Sequence, residues 1–224
     1  MINSSDAIIL KKMKHGETSN ILTVFTGDRG ILRLMAKGAR NSKNKVTMRT
    51  DILSVTNISY YFKPQGELHT LSRSEQIVAT NKIFDSEKHL NIAVFMLQSL
   101  LQTQCAELPA KNVFDFSVQL LVHLNFLTAN PFLLFLKHQL LLAQSLGFDI
   151  IIDENGSPEL SAGINYRQFD FDEVEILKSA FREDWTALAQ STTELTGRQK
   201  VRLLNFFSEY FSQHVDNRFH YTVY

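Results

Sequence analysis

The segment "NILTVFTGDRGILRLMAK", residues 20–37, decides the fold of the amino-terminal part of this chain. Two runs rich in apolar, β-branched and aromatic residues flank the turn sequence "GDRG", an arrangement typical of two strands joined by a tight turn. Leu32 and Leu34 lie on one face of the second run because the side chains of a strand alternate. Arg33 and Lys37 lie on the other face. The segment therefore predicts a half-buried strand that carries basic residues on its outer side.

Three further runs of the same character lie on either side of this segment. They are Ala7–Lys14, Ile52–Phe62 and Glu67–Val78. Five short strands with one longer connection, residues 38–50, are typical of a small Greek-key barrel of the OB type. An SH3-like barrel fits the number of strands nearly as well. We predict an OB-fold barrel for this part of the chain.

Beyond residue 83 the apolar residues recur with the period of an α-helix. The first stripe consists of Leu90, Val94, Leu97 and Leu101. A second helix is predicted from about Val113 to Leu127. A third begins at Pro131, ends near Gly147 and is apolar almost all round, which favours a position at the centre of a helical bundle.

The predicted fold class is α+β, with an N-terminal five-stranded OB-fold β-barrel, residues 1–82, followed by an α-helical domain, residues 83–224. Two helix starts in the second domain are predicted from capping boxes, in which an N-terminal Asp or Thr pairs with an acid or amide three residues later. The pairs that fit this pattern are Asp172 with Glu175 and Thr196 with Gln199.

The net charge is zero, but the charges are unevenly distributed along the chain. The first 50 residues contain ten Lys or Arg against three Asp or Glu, and the remaining residues contain thirteen against twenty. A basic first part joined to an acidic remainder indicates a module that binds a polyanion. The segment "MAKGARNSKNK" (Met35–Lys45) concentrates basic residues and contains no acidic one.

We predict that the basic residues bind the phosphate backbone of a nucleic acid, because each neutralised phosphate releases condensed counterions. The predicted contacts are Lys11, Lys12, Lys14, Arg33, Lys37, Arg40, Lys43, Lys45 and Arg49. Aromatic side chains can also stack on unpaired bases. Phe25 is expected in the core. One of Tyr60 and Tyr61 must face outward because neighbours in a strand alternate, and Tyr60 is the candidate for base stacking.

The sequence contains no pattern typical of an enzyme active site. The single cysteine, Cys105, allows neither an internal disulfide nor a cysteine zinc site, and a phosphate loop and a nucleophile elbow are missing. We therefore expect no catalysis, no cofactor and no metal. A rival hypothesis assembles a small active site from His15, Glu17 and His69. With no signal-peptide core and no apolar run of about 18 residues, we expect a cytoplasmic, nucleoid-associated protein without membrane contact.

Four short motifs follow one another within His15–Arg40. They are "GETS" (16–19), "FT" (25–26), Gly30 and "KGAR" (37–40). Further along, "GELHTLSRSEQIV" (Gly66–Val78) contains a Leu-x-x-x-Glu pattern. This series resembles the opening barrel of the RecO family of bacterial recombination mediators. The Leu-Gly-Phe sequence at 146–148 is similar to the end of that family's central helix.

The resemblance implies an OB-fold that binds single- and double-stranded DNA, followed by a helical domain. Proteins of this family anneal complementary strands. Together with RecR, they help to load the RecA recombinase onto single strands covered by single-stranded DNA-binding protein (SSB), without a nucleotide cofactor. Their helical domain holds the acidic, Phe-terminated tail of SSB in an apolar pocket edged by basic residues. The residues implied for that pocket here are Lys137, Leu133, Leu141 and Leu142.

Two features depart from the pattern of the family. Many members carry four zinc-binding cysteines after the central helix, whereas residues 146–166 contain none, so we expect no zinc site. Many members also have a basic second half, whereas this one is acidic, which favours protein contacts there over DNA wrapping. The alternative function is an OB-fold adapter whose basic patch binds an acidic protein partner.

Overall fold

A computed structural model of the chain describes residues 2–40, 50–147, 150–152, 158–160, 169–215 and 219–221. The predictions for Lys43, Lys45 and Arg49 lie outside these residues. The strands of the first part are β1 (Ile2–His15), β2 (Ser19–Thr26), β3 (Gly30–Ala36), β4 (Val55–Tyr61) and β5 (Leu68–Val78).

The five strands close into a barrel in the order β1-β2-β3-β5-β4. The β3–β5 pair is parallel and the other pairs are antiparallel, so the predicted five-stranded OB-fold barrel is confirmed. The register of β1 shifts between Ile9 and Lys11. Before this bulge, β1 pairs with β4 as far as Ile8, and after it β1 continues along β2 alone to His15. Among the strands that the structure describes, none pairs with the other edge of residues 11–15.

The described residues of the second part form a short 3₁₀ helix (Asn81–Asp85), six α-helices and a small hairpin. The helices are α1 (Glu87–Thr103), α2 (Lys111–Asn125), α3 (Pro131–Ser145), α4 (Phe171–Arg182), α5 (Trp185–Gln190) and α6 (Gly197–His214), and the hairpin strands are β6 (Ile150–Ile152) and β7 (Pro158–Leu160). Helix α3 packs against α1, α2, α4, α5 and α6. The prediction that the third helix is central is therefore confirmed, since only a helix surrounded by others buries apolar residues all round.

One side of the barrel shares an apolar core with the helices, and the barrel interior forms a second, smaller core. Phe25 is completely buried, as predicted, and its ring lies 6.0 Å from that of Phe114 on α2. The backbone of Ile31 donates a hydrogen bond to the carbonyl of Cys105 over 3.0 Å. Gly30 has a φ of 62°, and a Cβ at this position would collide with that same carbonyl. The connection between α1 and α2 is thus held against β3, which fixes the helices relative to the barrel.

One of the two predicted capping boxes is placed two residues too late. The side chain of Asp170, not Asp172, caps α4 and accepts from the backbone of Glu173 at 2.9 Å. Glu173 in turn accepts from the backbone of Asp170 at 3.1 Å. Both positions offer an Asp with a Glu three residues later, so the pattern alone did not choose between them. The box of Thr196 and Gln199 at the start of α6 is confirmed.

His138 on α3 is completely buried inside the helical half. Its ring nitrogens contact the hydroxyl of Ser117 and the amide of Gln139, each at 3.0 Å. Burial disfavours the charged imidazolium and lowers the pKa of His138 from 6.5 to about 3. The residue therefore serves as a neutral hydrogen-bonding group of the core.

We expect the free energy of unfolding to fall as the pH drops from 7 to 5. The unfolded chain binds a proton at His138 below about pH 6.5, whereas the folded chain resists protonation down to about pH 3. This linkage removes roughly 2 kcal/mol of stability by pH 5. Urea unfolding at both pH values measures the loss. H138Q should show a smaller loss than the parent, and an equal loss would contradict this origin.

Candidate nucleic-acid interface

The outer surface of β1, β2 and β3 brings three of the predicted basic residues together. Lys11 lies opposite Thr23, and Thr23 lies opposite Arg33 on the next strand. Residues paired in this way point to the same side of a sheet, and two strand spacings separate Lys11 from Arg33 by roughly 10 Å. Lys37 is exposed directly after the end of β3. We call Lys11, Arg33 and Lys37 the basic face.

The side chains of the basic face are open to solvent. The one ion pair recorded for them joins Arg33 Nη1 to Glu67 Oε2 at 3.8 Å, with 48% of the Arg33 side chain and 92% of the Glu67 side chain exposed. An exposed pair of this length is weak, so a phosphate can replace the carboxylate. Within the described part of the chain, Lys11 and Lys37 have no ion pair.

The other two lysines of β1 lie on its opposite side. Lys12 is paired in register with Leu22, which points into the barrel, and Lys14 shares its direction because it lies two residues further on. The ammonium group of Lys12 lies 3.3 Å from a carboxylate oxygen of Asp51. The three lysines that the sequence suggested as one group therefore belong to two surfaces, which meet at the edge of β1 that no other described strand covers.

Arg40 does not extend toward a ligand as we predicted. Its guanidinium donates to the backbone carbonyl of Gly16, and its own backbone N–H donates to the carbonyl of Thr18 over 2.9 Å. Gly38, with a φ of 67°, provides the sharp turn that directs the chain back. Arg40 thus holds the start of the connection after β3 against the β1–β2 turn.

The prediction that Tyr60 stacks on a base is wrong. Tyr60 is completely buried in the interior of the barrel. Its neighbour Tyr61 is 47% exposed and lies opposite Thr70, which in turn lies opposite Met35 of β3. Tyr61 is therefore on the outer surface of the barrel, on β4, which is separated from β3 by β5. It replaces Tyr60 as the candidate for base contact.

Two further cations, which sequence reasoning missed, lie at the connection between β4 and β5. The guanidinium of Arg29 lies 4.5 Å from the centroid of the Phe62 ring, and this ring lies 4.6 Å from that of His69. The exposed Lys63 donates its backbone N–H to His69 Nδ1 over 3.2 Å. An open groove of about 610 Å³, lined among others by Arg33, separates this connection from the α1–α2 connection.

The rival active site of His15, Glu17 and His69 is not assembled. His69 is buried in the barrel wall and its ring lies 6.0 Å from that of Tyr60, whereas His15 and Glu17 are exposed at the β1–β2 turn. Burial also lowers the pKa of His69. Among the described residues, no group of three or more His, Cys, Asp or Glu is placed to hold a metal ion. Nor is any helix in that part of the chain long and apolar enough to cross a bilayer.

The residues predicted for the SSB tail do not form an open pocket. Lys137 is 8% exposed, and its ammonium group donates to the carbonyls of Phe181 and Glu183 at the end of α4 over 3.3 and 2.7 Å. It also lies 5.8 Å from the ring centroid of Trp185. Burial lowers the pKa of Lys137, and the nearby Asp184 opposes this shift. Lys137 is therefore a clamp inside the helical half.

The three leucines predicted for the tail pocket are also packed inside the helical half. Leu133 and Leu142 are at most 1% exposed and belong to the main apolar core. Leu141 is partly buried and packs against the same core. These side chains of α3 are thus used for packing, and the prediction of an open apolar pocket at these residues is wrong.

Comparison with known proteins supports the likeness of the barrel. Residues 1–79 match the family described as "Recombination protein O N terminal". The DNA repair protein RecO of Salinibacter ruber is 31% identical over 147 residues, which cover 66% of this chain and 56% of that protein. The RecO protein of a Cyanothece species is 26% identical over 124 residues, which cover 55% of this chain and 41% of that protein. The RecO protein of Chlorobium luteolum is 35% identical over 72 residues, which cover 32% of this chain and 27% of that protein.

The chain spans about half the length of these curated relatives. The matched family segment coincides with the closed barrel, which ends at Val78. Barrel topology, motifs and relatives thus agree that residues 1–79 form the amino-terminal domain of the RecO family.

Proposed function

We propose that this chain is a DNA-binding recombination mediator that acts in DNA repair. The observation that carries the proposal is the basic face, in which Lys11 and Arg33 occupy one row across three strands and remain open to solvent. The relatives are DNA repair proteins of the RecO type, which supports the same class of function.

The basic face binds single- and double-stranded DNA through phosphates. Contacts of this kind release counterions and position the ligand without reading its sequence. Tyr61, on the same outer surface, adds a stacking contact for single strands, for which base–aromatic stacking contributes roughly 1–3 kcal/mol. We therefore expect affinity with little sequence preference and a strong dependence on salt.

Annealing follows from the same chemistry. Two complementary strands repel each other through their phosphates, and a cationic surface reduces that repulsion while leaving the base edges free to pair. The protein acts by binding, without catalysis and without a cofactor. It helps to load a recombinase onto SSB-coated single strands together with RecR, and the helical half meets the SSB tail at a surface other than the Lys137 clamp.

Salt-dependent annealing of SSB-coated complementary strands tests this function. We expect the protein to accelerate annealing several-fold over the spontaneous reaction and to do so less with SSB that lacks its tail. A different result would indicate an adapter for an acidic protein. In that case an acidic peptide would compete with DNA for binding, and the protein would not accelerate annealing even of bare strands. Equal acceleration with both forms of SSB would contradict the role of the tail.

A further inference from the structure

A second groove lies where the barrel meets the helical half, on the other side of β1 from the basic face. It encloses about 410 Å³ and is lined among others by Lys12, Asp51, Ile52, Asn81 and Phe84. This volume lies within the range of roughly 300–1,000 Å³ found for sites that bind small organic groups.

The wall of this groove exposes apolar surface. Phe84 of the 3₁₀ helix is 54% exposed and Ile52 is 36% exposed, whereas Ile83, the neighbour of Phe84, is fully buried and anchors the 3₁₀ helix in the core. The ring of Phe84 is thus held at the groove by its backbone. A fixed, exposed aromatic face is suited to stacking against another flat ring.

The charges in the groove favour an uncharged occupant. Lys12 and Asp51 lie 3.3 Å apart and neutralise each other. A phosphate or a peptide carboxylate placed here would meet the carboxylate of Asp51, and removing either ion from water has a cost that the paired lysine does not offset. The amide of Asn81, which makes no hydrogen bond to the described residues, can both donate to and accept from a polar ring edge.

The edge of β1 at residues 11–15 connects this groove to the basic face. Lys11 points to the basic face and Lys12 points to the groove. A DNA strand bound by Lys11 therefore reaches the groove by passing over one strand edge, which no other described strand covers.

We propose that the groove receives an unpaired base of single-stranded DNA and stacks it on Phe84. This inference rests on the proposed function, because it requires the sugar-phosphate chain to lie on the basic face. It gives the protein a preference for single strands, since a duplex has no free base to offer.

The variant F84A tests the inference. We expect its affinity for a single-stranded oligonucleotide to fall roughly 5- to 100-fold, the loss of one stacked base, while duplex affinity changes less than twofold. F84W should restore single-strand binding, and its fluorescence should be quenched by the oligonucleotide more than that of the parent. F171A is the matched control, because Phe171 on α4 is also an exposed phenylalanine, with an exposed fraction of 77%. This variant should leave the affinities for single strands and for duplex unchanged. Thermal melting of F84A should match that of the parent.

The outcomes separate this inference from the proposed function. Unchanged single-strand binding by F84A, with binding still strongly weakened by charge reversal on the basic face, overturns the base site and leaves the proposed function standing. It is also the result expected if a protein segment occupies the groove. Equal losses for single strands and duplex overturn the stacking of an unpaired base. Absence of DNA binding by the parent protein removes the proposed function and the inference with it.

Discussion

Reversing the charge of the basic face in K11E/R33E/K37E should weaken DNA binding strongly. We expect the affinity for single strands and for duplex to fall roughly 100-fold or more at about 50 mM salt, because three phosphate contacts become three repulsions. All three residues are exposed, so thermal unfolding should stay cooperative and close to that of the parent. Fluorescence anisotropy with labelled oligonucleotides measures the loss.

A matched variant distinguishes the effect of charges on the basic face from the effect of the total net charge on DNA affinity. Lys88, Arg182 and Arg198 are exposed on α1, α4 and α6, and K88E/R182E/R198E changes the net charge by the same amount. We expect its DNA affinity to remain within about threefold of the parent, since charges far from the ligand are screened at moderate salt. Equal losses in both triple variants would indicate that overall charge, and not this face, binds DNA.

Replacing the buried Lys137 by Met lowers the free energy of unfolding. Met fills a similar volume, but the carbonyls of Phe181 and Glu183 lose their donor. We expect a loss of about 2–4 kcal/mol in urea unfolding, as for other buried polar groups left without a partner. K88M, which removes an exposed lysine, should change the stability by less than about 0.5 kcal/mol.

The same variant decides between two roles for Lys137. A clamp of the helical half predicts lower stability in K137M and, at a temperature where the variant is folded, unchanged binding of an SSB-tail peptide. A docking cation predicts parental stability and lost peptide binding. The second result would contradict the closed arrangement of Lys137, Leu133 and Leu142.

The fold was predictable because local sequence patterns indicate the strands and the central helix. Alternation in residues 31–37 and β-branched residues in the other runs marked the five strands. The apolar surface all round residues 132–146 marked α3 as the central helix. The edge of β1 was not predictable in this way, since a bulge between Ile9 and Lys11 depends on which strands pair and not on composition.

The choice of Tyr60 over Tyr61 overlooked a signal that the sequence contained. Asn57 and Ser59 share the parity of Tyr61, whereas Ile58 shares that of Tyr60. Polar residues face outward in a half-buried strand, so this parity indicates Tyr61 as the exposed tyrosine.

The roles of Arg40 and Lys137 could not be predicted from local patterns. Their acceptors are backbone carbonyls 24 residues away for Arg40 and 44 to 46 residues away for Lys137. A carbonyl is present at every residue, so its position is known only after the chain has folded. A cluster of basic residues in the sequence therefore does not indicate which of them serve the fold itself.

The dependence of single-strand affinity on salt, compared between the parent and K11E/R33E/K37E, tests whether the basic face binds DNA phosphates. Each phosphate contact on a single strand contributes about −0.7 to the slope of log affinity against log salt. Three contacts at the basic face therefore predict that the slope of the triple variant is shallower by about 2. Parallel slopes for the two proteins would contradict the claim that Lys11, Arg33 and Lys37 meet the DNA backbone.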